Sequence, residues 1–222
     1  MNTQTHMLLG CAVLALPATH PIAYSGIQTG VKAMAALLGA LLPDASIFIM
    51  WGIAKLKGIP ESEIWQKWYY SDFWQQLGAI TNSLPMYLLI GVLAYLGGGR
   101  WTSVQSLQSN MMPSRPLIPT PWATLALILS SSALLHVLTD LPLHHDDGHP
   151  HFWPISDWIY SSPVSYWDPA HYGHVWSVVE LLLAMLLLII LWRRFLSSWV
   201  RVLLLLAAAS YAMVATYWWL SF

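Results

Sequence analysis

The residues most able to do chemistry lie close together, in the run His136-Val-Leu-Thr-Asp140-Leu-Pro-Leu-His144-His145-Asp146-Asp147-Gly-His149-Pro-His151. From Arg115 to Arg193 the chain has no lysine or arginine between, yet it carries seven histidines, five aspartates and one glutamate. No basic side chain nearby in sequence balances these carboxylates. A divalent cation would balance them, and neutral imidazole with carboxylate is a donor set that Zn²⁺ accepts. His136 and Asp140 are spaced i, i+4, about 40° apart on a helix, so both project from one face. They present a nitrogen and an oxygen to one ion, or the carboxylate orients the imidazole. Pro142 ends that helix and Gly148-His149-Pro150 turns the chain again, which lets His144 or His145 fold back toward His136. A zinc site takes about four ligands, so the other groups of the run must support ligands, face solvent or hold a second ion.

Four more positions join the candidates. Asp44, in Leu41-Leu42-Pro43-Asp44, is a carboxylate inside an apolar segment, where acids are costly and mark function; its competing role is N-cap of a helix from Ala45. His6 heads the first apolar run. His174, in Asp168-Pro-Ala-His171-Tyr-Gly-His174, opens a C-terminal apolar helix. Glu180 follows six residues later, off the face of His174, so either the helix distorts or Glu180 has another partner. Cys11, the single cysteine, excludes an intrachain disulfide and reads as a buried thiol. Phe152-Trp153-Pro154, Trp158, Tyr160, Tyr166 and Trp167 crowd the loop, as interfacial anchors or as the lining of an entrance.

The elements that must position these groups are transmembrane helices. The chain is 57% hydrophobic and 9% charged, against roughly 25% charged for a soluble domain. Its net charge of −1 argues against nucleic acid as a partner. Fourteen tryptophans suit the headgroup layers. The reading is an all-α, polytopic membrane protein with five to six hydrophobic helices, a His/Asp-rich loop and an interfacial helix. Segments Val175–Trp192 and Val202–Leu220 approach the ~20 residues that cross a bilayer and form a hairpin with Arg193, Arg194 and Arg201 at its turn. Thr120–Leu143, Ala33–Ala54 (interrupted by Pro43), Leu84–Gly99 and Met7–Ala18 are further candidates. The last lacks a basic flank of the signal-peptide kind and is expected to be retained. Lys55–Thr81 mixes charges with aromatics, as an interfacial helix does, and Arg100–Pro121 reads as a loop. The whole, 1–222, is expected to be one membrane domain, with the site carried by 1–174 and the hairpin by 175–222. Six basic residues (Lys32, Arg100, Arg115, Arg193, Arg194, Arg201) against three (Lys55, Lys57, Lys67) place the histidine loop on the non-cytoplasmic side of an inner membrane.

Taken in order, Thr5-His6, Leu42-Pro43-Asp44, Thr81-Asn82-Ser83, His136-x-x-x-Asp140 and Phe152-Trp153-Pro154 resemble the bacterial membrane-bound metal-dependent hydrolase family, a distant relation of zinc-dependent phospholipase C. The resemblance covers most of residues 1–160. It implies a helical fold whose inward His and Asp side chains hold divalent metal, with His6, Asp44, His136 and Asp140 at ligand positions and His144 or His145 matching a following histidine. The family's threonine–histidine–serine motif stands here as Thr81-Asn82-Ser83, and the phospholipases' His-x-x-x-Glu is not reproduced around Glu180.

The expected function is hydrolysis of a phosphoester or lipid-linked substrate by metal-activated water, with Zn²⁺ as cofactor, Asp44 as the base and membrane lipid as the surrounding partner. The alternative is a non-enzymatic membrane protein that binds or transports Zn²⁺, Ni²⁺ or Co²⁺; a third reading is a structural protein with a vestigial site. Two geometric expectations follow. His6, Asp44, His136 and Asp140 converge in space, and Asn82 lies beside them.

Overall fold

A computed structural model describes the backbone of residues 1–15, 26–108 and 121–221, and the side chains of 1–15, 30–98 and 121–213. His20, Arg115 and the stretch beyond Pro17 lie outside the described residues, as does the side chain of Arg100. Among the described residues the regular structure is helical throughout: α1 (Thr3–Leu14), α2 (Gly26–Leu41), α3 (Ala45–Leu56), α4 (Glu61–Glu63) continuing as a π-helical turn (Ile64–Trp68), α5 (Asp72–Thr81), α6 (Leu84–Gln108), α7 (Pro121–Asp140), α8 (Gly173–Arg194) and α9 (Ser198–Ser221). The all-α expectation holds.

Among the described residues, three apolar stretches are long enough to cross a membrane: Asp72–Gly98, Pro121–Leu143 and Gly173–Arg194. α2 and α3 make a fourth if they count as one span, bent by 70°. α1 and the described part of α9 are shorter. The bend falls at Leu42–Asp44, where Pro43 has no N–H to continue the helical ladder. Leu88, Val92 and Leu96 on α6, with Val178, Leu182, Met185 and Ile189 on α8, stand mostly exposed. These are the surfaces that lipid covers, since lipid tails are as apolar as leucine.

With no hydrophobic drive between helices in lipid, packing rests on small residues and interhelical hydrogen bonds. α2 meets α7 through Gly39, where an added Cβ would lie 2.2 Å from the Leu129 carbonyl oxygen. The resulting closeness brings two α7 side chains onto two α2 carbonyls in matched i, i+4 register: Ser132 Oγ donates to Ala36 O at 2.7 Å, and His136 Nδ1 meets Ala40 O at 2.6 Å. α1 lies in the groove of α2, α7 and α8. Leu8, Cys11 and Ala12 pack there with Ala36, Ala184, Leu187 and Leu191, and Cys11 is buried as expected. Arg194 reaches back from the end of α8 to the Ala12 carbonyl.

The expected interfacial helix is broken into pieces. α3 stops at Leu56, Gly58 (φ 70°) turns the chain, and the next helical segment starts after Pro60. Its charges and aromatics pair with one another: Lys55 pairs with Glu61 and lies over Trp51, Lys57 lies over Trp68, and Trp51 and Trp65 both donate to Glu61. α5 then joins α6 in the long apolar stretch. The segment expected as a loop from Arg100 is helical as far as Gln108, because nothing between Arg100 and Gln108 breaks a helix: the residues are Trp, Thr, Ser, Val, Gln and Leu.

Candidate metal centre

Four helix ends meet at one end of the bundle. His6 comes from α1, Asp44 from the break between α2 and α3, and His136 and Asp140 from the last turns of α7. His6, His136 and Asp140 are 2%, 1% and 7% exposed. Each offers one ligand atom, and the three atoms lie within 4.8 Å of one another, somewhat wider than the roughly 3–4 Å of groups sharing one first-row ion. The two imidazoles stack, centroids 3.6 Å apart and planes 13° from parallel. His6 Nε2 is 3.3 Å from Asp140 Oδ1 and its Nδ1 is 3.3 Å from Thr139 Oγ1.

His136 is the most informative of the three. A carbonyl oxygen only accepts, so the 2.6 Å contact with Ala40 O puts the ring proton on Nδ1 and leaves the lone pair on Nε2. That Nε2 is buried with no hydrogen-bond partner. It faces two carboxylates, Asp44 Oδ1 at 3.6 Å and Asp140 Oδ2 at 3.8 Å. A bare lone pair aimed at carboxylates is repelled unless a cation lies between them. The backbone carbonyl on Nδ1 is also the outer-shell partner that metal-bound histidines characteristically have. The donor set therefore fits a divalent metal.

Asp44 occupies the N-cap position of α3 but makes no capping bond with its side chain. The carboxylate turns inward instead, accepting from Thr3 Oγ1 and facing His136. Asn82 does lie beside the cluster, lining the same small cavity. Its amide ends α5, donating to Gly78 O at 3.0 Å and to Pro43 O at 3.1 Å. Asn82 thus clamps the bend that presents Asp44.

The loop histidines diverge. His144 turns in, with Nε2 2.8 Å from Asp140 Oδ2 and Nδ1 2.9 Å from Asp147 Oδ1. Burial opposes a charge on this ring, but the two carboxylates outweigh it and raise the pKa to about 9. Through its Nε2 hydrogen bond, His144 buttresses Asp140. The Met1 ammonium also lies against Asp140, so positive charge does reach this carboxylate, from groups other than Lys and Arg. His145 points away, onto His171, and His174 is exposed on the first turn of α8; neither joins the cluster. His149 packs its ring edge on Gly78, close enough that a Cβ there would meet Cε1 at 3.0 Å, and His151 Nδ1 lies 3.3 Å from Asn82 O.

Of the two alternatives for Glu180, the structure shows the separate partner. It is buried, 3% exposed, and accepts from Asn2 N at 2.7 Å and Thr5 Oγ1 at 2.6 Å, while Tyr211 of α9 meets the same Thr5 hydroxyl at 2.5 Å. Its charge sits at the N-terminus of α1, where a helix favours an anion. Glu180 holds in place the helix that carries His6. The cavity beside the cluster measures about 130 Å³ and joins Asp44, Asn82, Asp140, His144, His149 and Tyr166 to the apolar lip of Ile47 and Phe48.

The chain belongs to the YdjM inner membrane protein family, whose model matches residues 1–219. It is an integral inner membrane protein. No curated protein and no solved structure matches it.

Proposed function

We propose that this chain is a membrane-bound metal-dependent hydrolase acting on a phosphoester of lipid or lipid-linked substrates, with Zn²⁺ as the divalent ion. The observation that carries the reading is the buried, unpartnered His136 Nε2 facing two carboxylates. His6, His136 and Asp140 would hold the ion. A bound divalent ion lowers the pKa of its water toward about 7 and polarises a phosphoryl or acyl oxygen. Asp44 supplies the base. Thr3 occupies its Oδ2, which leaves Oδ1 to accept the proton of a water. Asn82 positions Asp44 through the Pro43 carbonyl. The cavity is small enough to take a headgroup and not a whole lipid, and its lip residue Phe48 is 51% exposed on the apolar outside. Those features support a substrate whose polar head enters while its chain stays in the bilayer.

The test is metal content and turnover in detergent-purified protein, wild type beside His136→Ala. Wild type is expected to retain Zn²⁺, or take up Mn²⁺ or Co²⁺, and to cleave a chromogenic phosphoester; His136→Ala should lose both. The alternative is a metal handler for Zn²⁺, Ni²⁺ or Co²⁺ without catalysis, favoured by the wealth of loop histidines. Metal-loaded wild type that cleaves nothing in a broad phosphoester and acyl-ester panel, while loop variants alter cellular metal, would decide for it.

A further inference from the structure

The far end of α8 poses the reverse electrostatic problem to the histidine cluster. All 10 acidic residues of the chain lie between Asp44 and Glu180. Glu180, the acid on α8, turns to Asn2 and Thr5 beside the cluster. Arg193 stands about 20 Å further along the same helix, at 1.5 Å per residue. It shares the α8–α9 turn with Arg194 and Arg201, and from 181 to 222 the sequence has no aspartate or glutamate. Arg194 is committed to the Ala12 carbonyl. Among the described residues, neither Arg193 nor Arg201 pairs with a carboxylate.

An apolar groove of about 230 Å³ runs between α8 and α9 up to these two arginines. Its α9 wall is Leu204, Leu205 and Ala208, and Arg201 starts that stripe, since i, i+3, i+4 and i+7 share a helix face. Its α8 wall includes Ile189, Trp192 and Arg193. Each wall thus ends in a guanidinium on the side of the turn. Leu204 is buried and forms the floor, whereas Ile189 and Leu205 are exposed, so the groove opens sideways on the surface that lipid covers. From Arg201 to Ala208 it is about 10 Å long. The Arg201 guanidinium lies over the Trp192 ring, its carbon 5.0 Å from the centroid, and so bridges the two walls. Stacking uses the flat face of the group and leaves its in-plane N–H donors unspent; Nε makes no hydrogen bond. At the turn Leu196 and Trp199 stand fully out of the bundle. An exposed tryptophan suits the headgroup layer, which puts the arginines at the depth of lipid phosphates.

We propose that this groove binds an anionic phospholipid. Part of one acyl chain lies between α8 and α9, and the phosphate accepts from Arg193 and Arg201. Arginine matches phosphate through paired N–H donors, and basic pockets between membrane helices suit anionic headgroups. The groove argues for a lipid over a free anion, because a bare phosphate leaves the apolar walls uncovered. Two guanidinium charges argue for a headgroup of net negative charge over a zwitterionic one. The bound lipid ties α9, which carries Tyr211, to α8, which carries Glu180. Nothing in the proposal depends on the metal centre or on its chemistry.

Delipidated, detergent-purified full chain is mixed with phosphatidylglycerol or with phosphatidylethanolamine of identical chains, and bound lipid is read by native mass spectrometry. Wild type is expected to hold one phosphatidylglycerol about 10–30-fold more tightly, the scale for two basic side chains facing an anionic lipid. Arg193→Gln and Arg201→Gln should each cut that preference about fivefold, and the double variant should abolish it. Ala208→Leu fills the groove and leaves both arginines in place, so it should weaken both lipids. Millimolar inorganic phosphate should displace little phosphatidylglycerol. Equal retention of the two lipids by wild type, which needs no variant to fold, would overturn the proposal. So would a preference that survives in the double variant, or displacement by inorganic phosphate, which would mark an anion site without a lipid.

Discussion

Adding one methyl group at Gly39 should disable the buried centre from a distance. An alanine Cβ there would lie 2.2 Å from Leu129 O and 2.9 Å from the Leu129 carbonyl carbon, both backbone atoms, where ordinary contact begins at 3.4 Å. α2 and α7 must therefore separate by about 1.2 Å. The same movement, if shared along the helix, carries the 2.6 Å contact between His136 Nδ1 and Ala40 O to about 3.8 Å, beyond hydrogen-bond reach. Overpacking of this kind costs about 1–3 kcal/mol, and a buried donor left unsatisfied costs about 1–3 kcal/mol more. Losing the outer-shell partner of a metal-bound histidine costs about 10–100-fold in affinity. The assay is Zn²⁺ competition against a chromophoric chelator, beside denaturant unfolding in mixed micelles. Gly52→Ala is the control, since a Cβ there meets nothing within 4 Å and alanine favours helix. Wild-type zinc affinity and stability in Gly39→Ala would refute the claim that helix proximity sets the tautomer of His136.

Three further outcomes are expected. Asp44→Asn should lower turnover of a chromogenic phosphoester by ~10²-fold or more, the usual scale for losing a general base, with bound metal mostly retained; equal loss of both would make Asp44 a ligand first. Glu180→Ala should destabilise the protein by about 1.5–3 kcal/mol, because hydrogen bonds to a charged group from Asn2 and Thr5 are lost, and it should lower zinc affinity through His6; an unchanged zinc affinity would contradict the anchoring role. His149, 6% exposed, has its pKa lowered from 6.5 to about 4, by burial first and then by the charges of His144 and His151. The unfolded chain thus binds the extra proton between pH 4 and 6.5, so stability should rise with pH across that window by about 3 kcal/mol. His149→Gln should flatten the slope, measured by unfolding against pH; a slope that persists would assign it to another group.

How far the sequence went depended on the range of the interaction. Composition alone requires helices in a membrane, and the i, i+4 spacing of His136 and Asp140 by itself places both on one face. Asp44 is legible because an acid in an apolar run demands a reason. The partner of Glu180 is not: its acceptor role is met by the backbone N–H of Asn2, 178 positions away, and a backbone donor leaves no residue-type signal. The divergence of His144 and His145 is also hidden. In an extended segment each residue's side depends on register alone, and a shift of one position exchanges the two. Loop fragmentation between Leu56 and Asp72 is signalled by Gly58 and Pro60, which the amphipathic pattern of aromatics and charges masks.

The clamp of Glu180 and Tyr211 on Thr5 has a consequence for how the protein is made. As described, α1 is 12 residues long, about 18 Å at 1.5 Å per residue, against a hydrocarbon core of about 30 Å. The described helix is shorter than the core, and α2, α7 and α8 pack against it. Synthesis runs from the N-terminus, so α2 and α7, which meet α1, are made before the helices that carry Glu180 and Tyr211. The clamp on Thr5 can therefore close only after insertion of the C-terminal pair. Ribosome-stalled chains ending near residue 174 would contain every residue proposed to hold the buried ion, yet lack the Glu180 and Tyr211 contacts that fix Thr5.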